Sequence, residues 1–142
     1  MSAYNTNAWL DESDFVLTLE HELGHYLGLF HTFSEDNTCV DDDYCDDTPT
    51  YDRKLYDTWY AAAGRVTLAE GAQRMNCSGD KFVSNNVMDY DISYLNYFSP
   101  RQRVRVRHVL ENSPLIPGPK ANRTKGVLNI DGLEIPESRW IE

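Results

Sequence analysis

Apolar positions fall into three runs along the chain. Phe15, Leu19, Leu23, Tyr26, Leu27 and Phe30 recur at three- and four-residue spacings. That period predicts an amphipathic helix over about residues 14 to 28, with its apolar face in the core and its ligand face toward a cleft. Asp11, Ser13 or Asp14 can cap it, and acids there suit the positive end of its dipole. Tyr51, Leu55, Tyr56, Trp59 and Tyr60 are spaced in a roughly helical way and predict a short helix within residues 50 to 64 that covers the core. Ser99 as a cap and Pro100 at the first helical position open a third helix, to about Glu111. Its Val104, Val106, Val109 and Leu110 are expected to pack inward. Arg101, Arg103, Arg105 and Arg107 alternate with them and read as a solvated face, with the acidic loop described below as a neighbour. His108 reads as a surface or satisfied polar histidine.

Residues 65 to 85 have no period and read as a long irregular loop that could wall a cleft. After Ser113 the prolines Pro114, Pro117 and Pro119 make a stiff linker. Beyond them, Val127 to Ile130, the turn Asp131-Gly132, and Leu133 to Ile135 suggest a small hairpin. The pattern predicts a mainly α chain with long irregular loops, divided into residues 1–112 and a Pro-rich linker with extended tail over residues 113–142.

The first helix carries the chemistry. His21 to His31 reads H-E-x-x-H-x-x-G-x-x-H and holds three of the chain's four histidines. His21 and His25 lie four apart, on one helical face, and can present two imidazoles to one metal. Gly28 can take a positive φ, which ends the helix and brings His31 back as a third ligand. Three histidines leave a tetrahedral zinc ion with one open position for water, the catalytic form of a zinc site. Zinc lowers the pKa of that water to roughly 7, and Glu22 is placed to take its proton as it attacks a carbonyl.

Composition narrows the classes. The 142 residues suffice for a core, and 41% hydrophobic content fits a globular chain. A formal charge of −10 argues against nucleic-acid binding, which needs a basic surface. No apolar run approaches the roughly 20 residues of a transmembrane segment. The first residues, Met1 to Asn5, lack the basic and apolar regions of a signal peptide, so none is expected in this chain. Glu35, Asp36, Asp41, Asp42, Asp43, Asp46 and Asp47 crowd one loop. It is not an EF-hand, but hard cations favour such oxygens, so calcium stands beside a solvated acidic loop as its reading. Cys39, Cys45 and Cys77 allow at most one internal disulfide.

The zinc motif resembles the metzincin signature, and Asn86-Val87-Met88-Asp89-Tyr90 resembles that clan's Met-turn. Within the clan the chain is most similar to the pappalysin family. The likeness is carried by Thr32-Phe33 directly after His31, by Asp46-Asp47-Thr48-Pro49, and by the Met88 segment followed by Phe98-Ser99-Pro100 and Gln102. It covers about residues 14 to 112. It implies the C-terminal subdomain of a metzincin-like (zincin, α+β) catalytic domain. His21, His25 and His31 would bind Zn2+, Glu22 would be general base and acid, and Met88 would form the floor of the site. Tyr90 would offer its hydroxyl to the oxyanion. The resemblance also implies Ca2+ near Asp46, Asp47 and Thr48, a protein or peptide substrate, and a secreted or cell-surface intact protein.

Three departures qualify it. Relatives pair four cysteines, one just after the Met-turn, whereas residues 91 to 95 hold none; Cys77 with Cys39 or Cys45 stays open. The acid that accompanies that cysteine in relatives cutting before arginine has no counterpart near Ser93 or Tyr94, so no basic preference is carried over. About 13 residues precede the helix, too few for the upper β-sheet subdomain, whose edge strand would pair with substrate. That N-terminal subdomain is therefore expected to be missing. The leading expectation is a zinc endopeptidase. The alternatives are a truncated zinc-binding module without activity and a calcium-stabilised interaction domain.

Overall fold

The computed structural model describes residues 12–36, 38–90 and 92–118. Helix α1 spans Glu12–Tyr26, α2 Arg53–Ala63, α3 Leu68–Gly71 and α4 Pro100–Asn112; strands β1 (Gln73–Met75) and β2 (Lys81–Val83) lie between α3 and α4. The three long helices match the expected ones to within about two residues at most ends. The described part is mainly helical with long loops, as the sequence pattern predicts. The hairpin expected over residues 127–135 lies outside the described residues. No helix among the described residues is long and apolar enough to cross a membrane.

Two expectations about faces are reversed. On α1, Phe15, Leu19, Leu23 and Tyr26 are exposed rather than in the core. The inward face is the one bearing His21, Gly24 and His25, and Leu29 after the helix is buried beside it. Gly24 decides this: a side chain there would collide with the Met88 sulfur, so only glycine lets the helix approach so closely. On α4, Val104 and Leu110 are exposed, while Gln102, Arg105 and His108, spaced three apart, are buried. The alternating arginines are therefore not one solvated face. Arg105 is inward because its guanidinium has work there, donating to the Gly28 carbonyl (3.2 Å) and lying over the rings of Phe30 and Tyr44. His108 is buried, not surface. Its Nδ1 meets the Asn112 amide, and its Nε2 has no hydrogen-bond partner among the described residues. An apolar groove lined by Leu23, Leu27, Leu29, Phe98, Val106 and Leu110 separates α1 from α4.

Residues 65 to 85 are not irregular throughout. Thr67 and Glu70 form a capping box on α3, and β1 pairs antiparallel with β2, with Arg74 opposite Phe82. Strands of three residues are too short to show alternation in sequence. The turn joining them is closed by Asn76, whose side-chain oxygen accepts from the backbone N–H of Ser78 and Asp80. Cys77 within this turn is bonded to Cys39, which ties the acidic loop to the hairpin. Cys45 stays a buried thiol, pushed up to about 12 by burial and the nearby Asp43 carboxylate, and so is inert as a nucleophile.

The core is aromatic. Phe33, Tyr51 and Tyr56 are buried together, with Tyr60 and Phe82 packed against them. The Asp89 carboxylate lies at its edge. It accepts from the Tyr51 hydroxyl (2.6 Å), the Ser84 hydroxyl and the Tyr90 backbone N–H (2.7 Å), with Arg53 and Arg74 at 3.7 and 3.8 Å. Arg74 is itself buried, its guanidinium 3.7 Å from the Tyr56 ring centroid. A carboxylate this deep persists only because it is bonded and paired. Replacing it leaves a tyrosine and a serine without their acceptor and two arginines without the counter-charge beside them. Asp89→Ala is expected to cost about 3–5 kcal/mol in urea unfolding, and Asp89→Asn less, because the amide oxygen still accepts.

Candidate metal centre

Three histidine side chains converge at the C-terminal end of α1. His25 Nε2 lies 3.1 Å from His21 Nε2 and 3.0 Å from His31 Nε2. Among the described residues this is the one group of three or more His, Cys, Asp or Glu whose donor atoms gather within 4.8 Å. The helix supplies His21 and His25. Its end at Tyr26 is followed by Gly28 with φ of 84°, and the chain doubles back to His31. Leu29 N–H bonds the Gly24 carbonyl (2.9 Å) and Gly28 N–H bonds that of His25 (2.9 Å), closing the turn.

The other ring nitrogens fix the protonation of this cluster. His21 Nδ1 is 2.7 Å from the Val87 carbonyl and His25 Nδ1 is 3.0 Å from the Leu29 carbonyl. A carbonyl oxygen can only accept, so each Nδ1 carries the proton and each Nε2 is left a bare lone pair when the ring is neutral. His31 Nδ1 meets the Glu35 carboxylate at 2.9 Å, with the same result. Burial lowers the pKa of His31, against the raising effect of the Glu35 hydrogen bond. Three lone pairs pointed at one another repel unless a cation lies between them. Tetrahedral bonds of about 2.0–2.1 Å to zinc would set the nitrogens about 3.3 Å apart, close to the distances found. The residues fit zinc.

Met88 is fully buried against Gly24, and its carbonyl accepts from Thr32 N–H. Its segment is held on both sides. Asn86 Oδ1 accepts from Met88 N–H and from the Gln102 amide, and Asn86 donates back to Gln102. Asp89 anchors the other end. The Tyr90 ring packs edge-on to His31, with centroids 4.6 Å apart, lies 5.7 Å from His21, and has the Arg53 guanidinium over its face. Burial and the Glu35 carboxylate raise the Tyr90 pKa above its ordinary value. Glu22 is exposed on α1, one residue round from His21.

The residues expected around calcium have protein partners of their own. Asp46 pairs with Arg101 (2.9 Å), and Asp47 accepts from the Ser99 hydroxyl (2.6 Å) and the Arg101 backbone N–H. The Thr48 hydroxyl lies 2.6 Å from both Asp43 Oδ2 and the Cys45 carbonyl. Asp46 and Asp47 thus fasten the acidic loop to the start of α4, as the charge pattern suggests. In the sequence Glu35 is one of seven acids of a loop that reads as a calcium site or a solvated stretch, with no role at the histidines. The available signal was its position four residues after the third histidine.

Residues 2–111 match the peptidase M43 family model, described as pregnancy-associated plasma protein-A. A protein named extracellular metalloprotease from Arthroderma otae is 54% identical over 91 residues. Proteins of the same name from Arthroderma benhamiae and Colletotrichum graminicola are each 36% identical over 91 and 90 residues. Each match covers 63% of this chain and 29% of the relative, so the chain spans about three tenths of the length of the curated relatives it matches. No solved structure matches it.

The close contact of Gly24 with Met88 can itself be tested. Gly24→Ala is expected to destabilise by about 1–3 kcal/mol in thermal unfolding, as overpacking does. Met88→Ala in the same chain should recover part of that loss. Full additivity of the two changes would refute the contact.

Proposed function

Since the chain belongs to the pappalysin family of metallopeptidases, peptidase M43, we propose that the whole protein is a zinc-dependent endopeptidase acting on peptide bonds of proteins. The observation that carries this reading is the convergence of three Nε2 lone pairs on one point, each with its Nδ1 bonded to a fixed acceptor. Zinc held by His21, His25 and His31 supplies a Lewis acid that polarises a carbonyl and acidifies water. Glu22 takes the proton of the attacking water and returns it to the leaving amine. Tyr90, kept protonated, donates its hydroxyl to the carbonyl oxygen as negative charge gathers there. Met88, buried against Gly24, would form a close-packed floor beneath the ligands.

Secretion is supported by the names of the relatives and by the Cys39–Cys77 bond, because disulfides persist in oxidising compartments. A calcium ion near Asp46, Asp47 and Thr48 completes the reading, supported by the seven acids of residues 35–47 and the family resemblance. One observation favours a second reading for this chain by itself. The apolar stripe Phe15, Leu19 and Leu23 is exposed on the ligand helix itself, as a zinc-binding module awaiting a covering segment would have it. In that reading a substrate-holding subdomain is supplied from outside residues 1–142.

Zinc-loaded full-length protein is expected to cleave casein, and Glu22→Gln to lose about 10²–10⁴-fold in rate while retaining one zinc per chain by atomic absorption. His25→Ala should lose the zinc itself. Activity that survives Glu22→Gln would refute the role of that residue. For calcium, chelation with zinc restored should lower the melting temperature; an unchanged value would remove calcium from the reading.

A further inference from the structure

The three imidazoles are not held alike. His21 and His25 stand on α1 and give their Nδ1–H groups to neutral backbone carbonyls. His31 stands on the returning loop and gives its Nδ1–H to a carboxylate. Apart from that bond, packing restrains its ring: Phe33 is stacked at 4.7 Å with planes 13° apart, and Tyr90 meets it edge-on. Stacking permits rotation within the ring plane, and so does not choose which nitrogen points inward. A hydrogen bond does.

The backbone that carries Glu35 is itself anchored. Ser34 N–H bonds the Tyr51 carbonyl (2.8 Å), Arg53 N–H bonds the Ser34 carbonyl (3.0 Å), and Ser34 forms an isolated bridge with Asp52. On the far side, Asp36 accepts from the Ser34 hydroxyl and from Thr38, which holds the loop after Glu35. The Glu35 side chain, 65% exposed, therefore reaches His31 from a fixed base and needs no burial to do so.

We propose that Glu35 is a positioning residue of the metal centre: it fixes His31 with Nδ1 protonated and Nε2 directed at the metal, and makes this loop-borne ring the most electron-rich of the three ligands. A carboxylate partner shares the Nδ1 proton more strongly than a carbonyl and raises the donor strength of the opposite nitrogen. The two helical ligands are positioned by α1; the third is positioned by a side chain.

This inference rests on the zinc reading, and the two are separable by experiment. Zinc affinity is measured by competition with a chromophoric chelator on the full chain, alongside the melting temperature of the zinc-free protein and the visible spectrum after cobalt substitution. Glu35→Ala is expected to weaken zinc binding about 10–100-fold, the usual effect of losing an outer partner of a ligand histidine. Glu35→Gln, which keeps an acceptor oxygen without the charge, should recover part of the loss. The zinc-free melting temperature should stay constant, and the cobalt bands should shift in Glu35→Ala. Asp42→Asn, a change in an exposed acid of the same loop, should leave affinity unchanged. Wild-type protein that binds no zinc would overturn the zinc reading itself. Wild-type binding with equal affinity in Glu35→Ala, or an equal loss in Asp42→Asn, would overturn the role of Glu35 alone.

Discussion

Three Nδ1–H hydrogen bonds hold three imidazoles with their Nε2 atoms together, and much of the described structure serves to keep their acceptors in place. The Val87 carbonyl belongs to the Met88 segment, the Leu29 carbonyl to the turn after α1, and the Glu35 carboxylate to the loop bridged to Asp52. Each acceptor comes from a different stretch of chain, so the cluster forms only when all three stretches are home. Bare lone pairs at about 3 Å are an unfavourable arrangement without a cation. The fold therefore stores a local repulsion that metal binding relieves, which is how folding and metal affinity become coupled.

The supports of the Met88 segment are largely polar. Asp89 collects Tyr51, Ser84 and two arginines at one end of the Met88 segment. Asn86 and Gln102 exchange two hydrogen bonds at the other. Gln102 also accepts from Ser99 N–H, and Ser99 donates to Asp47. This line of bonds runs from the acidic loop through the cap of α4 to the Met88 segment. Arg105 extends it to the Gly28 carbonyl, where the chain turns toward His31. Such networks specify geometry more sharply than apolar packing, because each member has few ways to be satisfied.

The metal cluster was legible in the sequence because its spacing is a property of one helix and one turn. His21 and His25 need only the helical period, and His31 needs only Gly28. The caps of α4 were legible for the same reason: Ser99, Pro100 and Gln102 act within one turn of each other. What escaped were properties set by distant partners. The apolar stripe of α1 reads as a core face, but Gly24 and Met88 bring the opposite face inward. Val104 and Leu110 read as core, but the hydrogen bonds of Gln102 and Arg105 turn α4 the other way. Glu35 read as one acid among seven until the returning loop set it against His31. The three-residue strands left no alternation to find, and the choice of Cys39 over Cys45 for Cys77 followed from the path of the acidic loop.

The central claim is that His21, His25 and His31 form a zinc centre with only nitrogen from the protein. X-ray absorption at the zinc edge, on protein reconstituted with one equivalent of zinc, tests it most directly. The account predicts three imidazole nitrogens at about 2.0–2.1 Å with one further light atom and no sulfur. A sulfur shell at about 2.3 Å, or a spectrum without imidazole scattering, would contradict it.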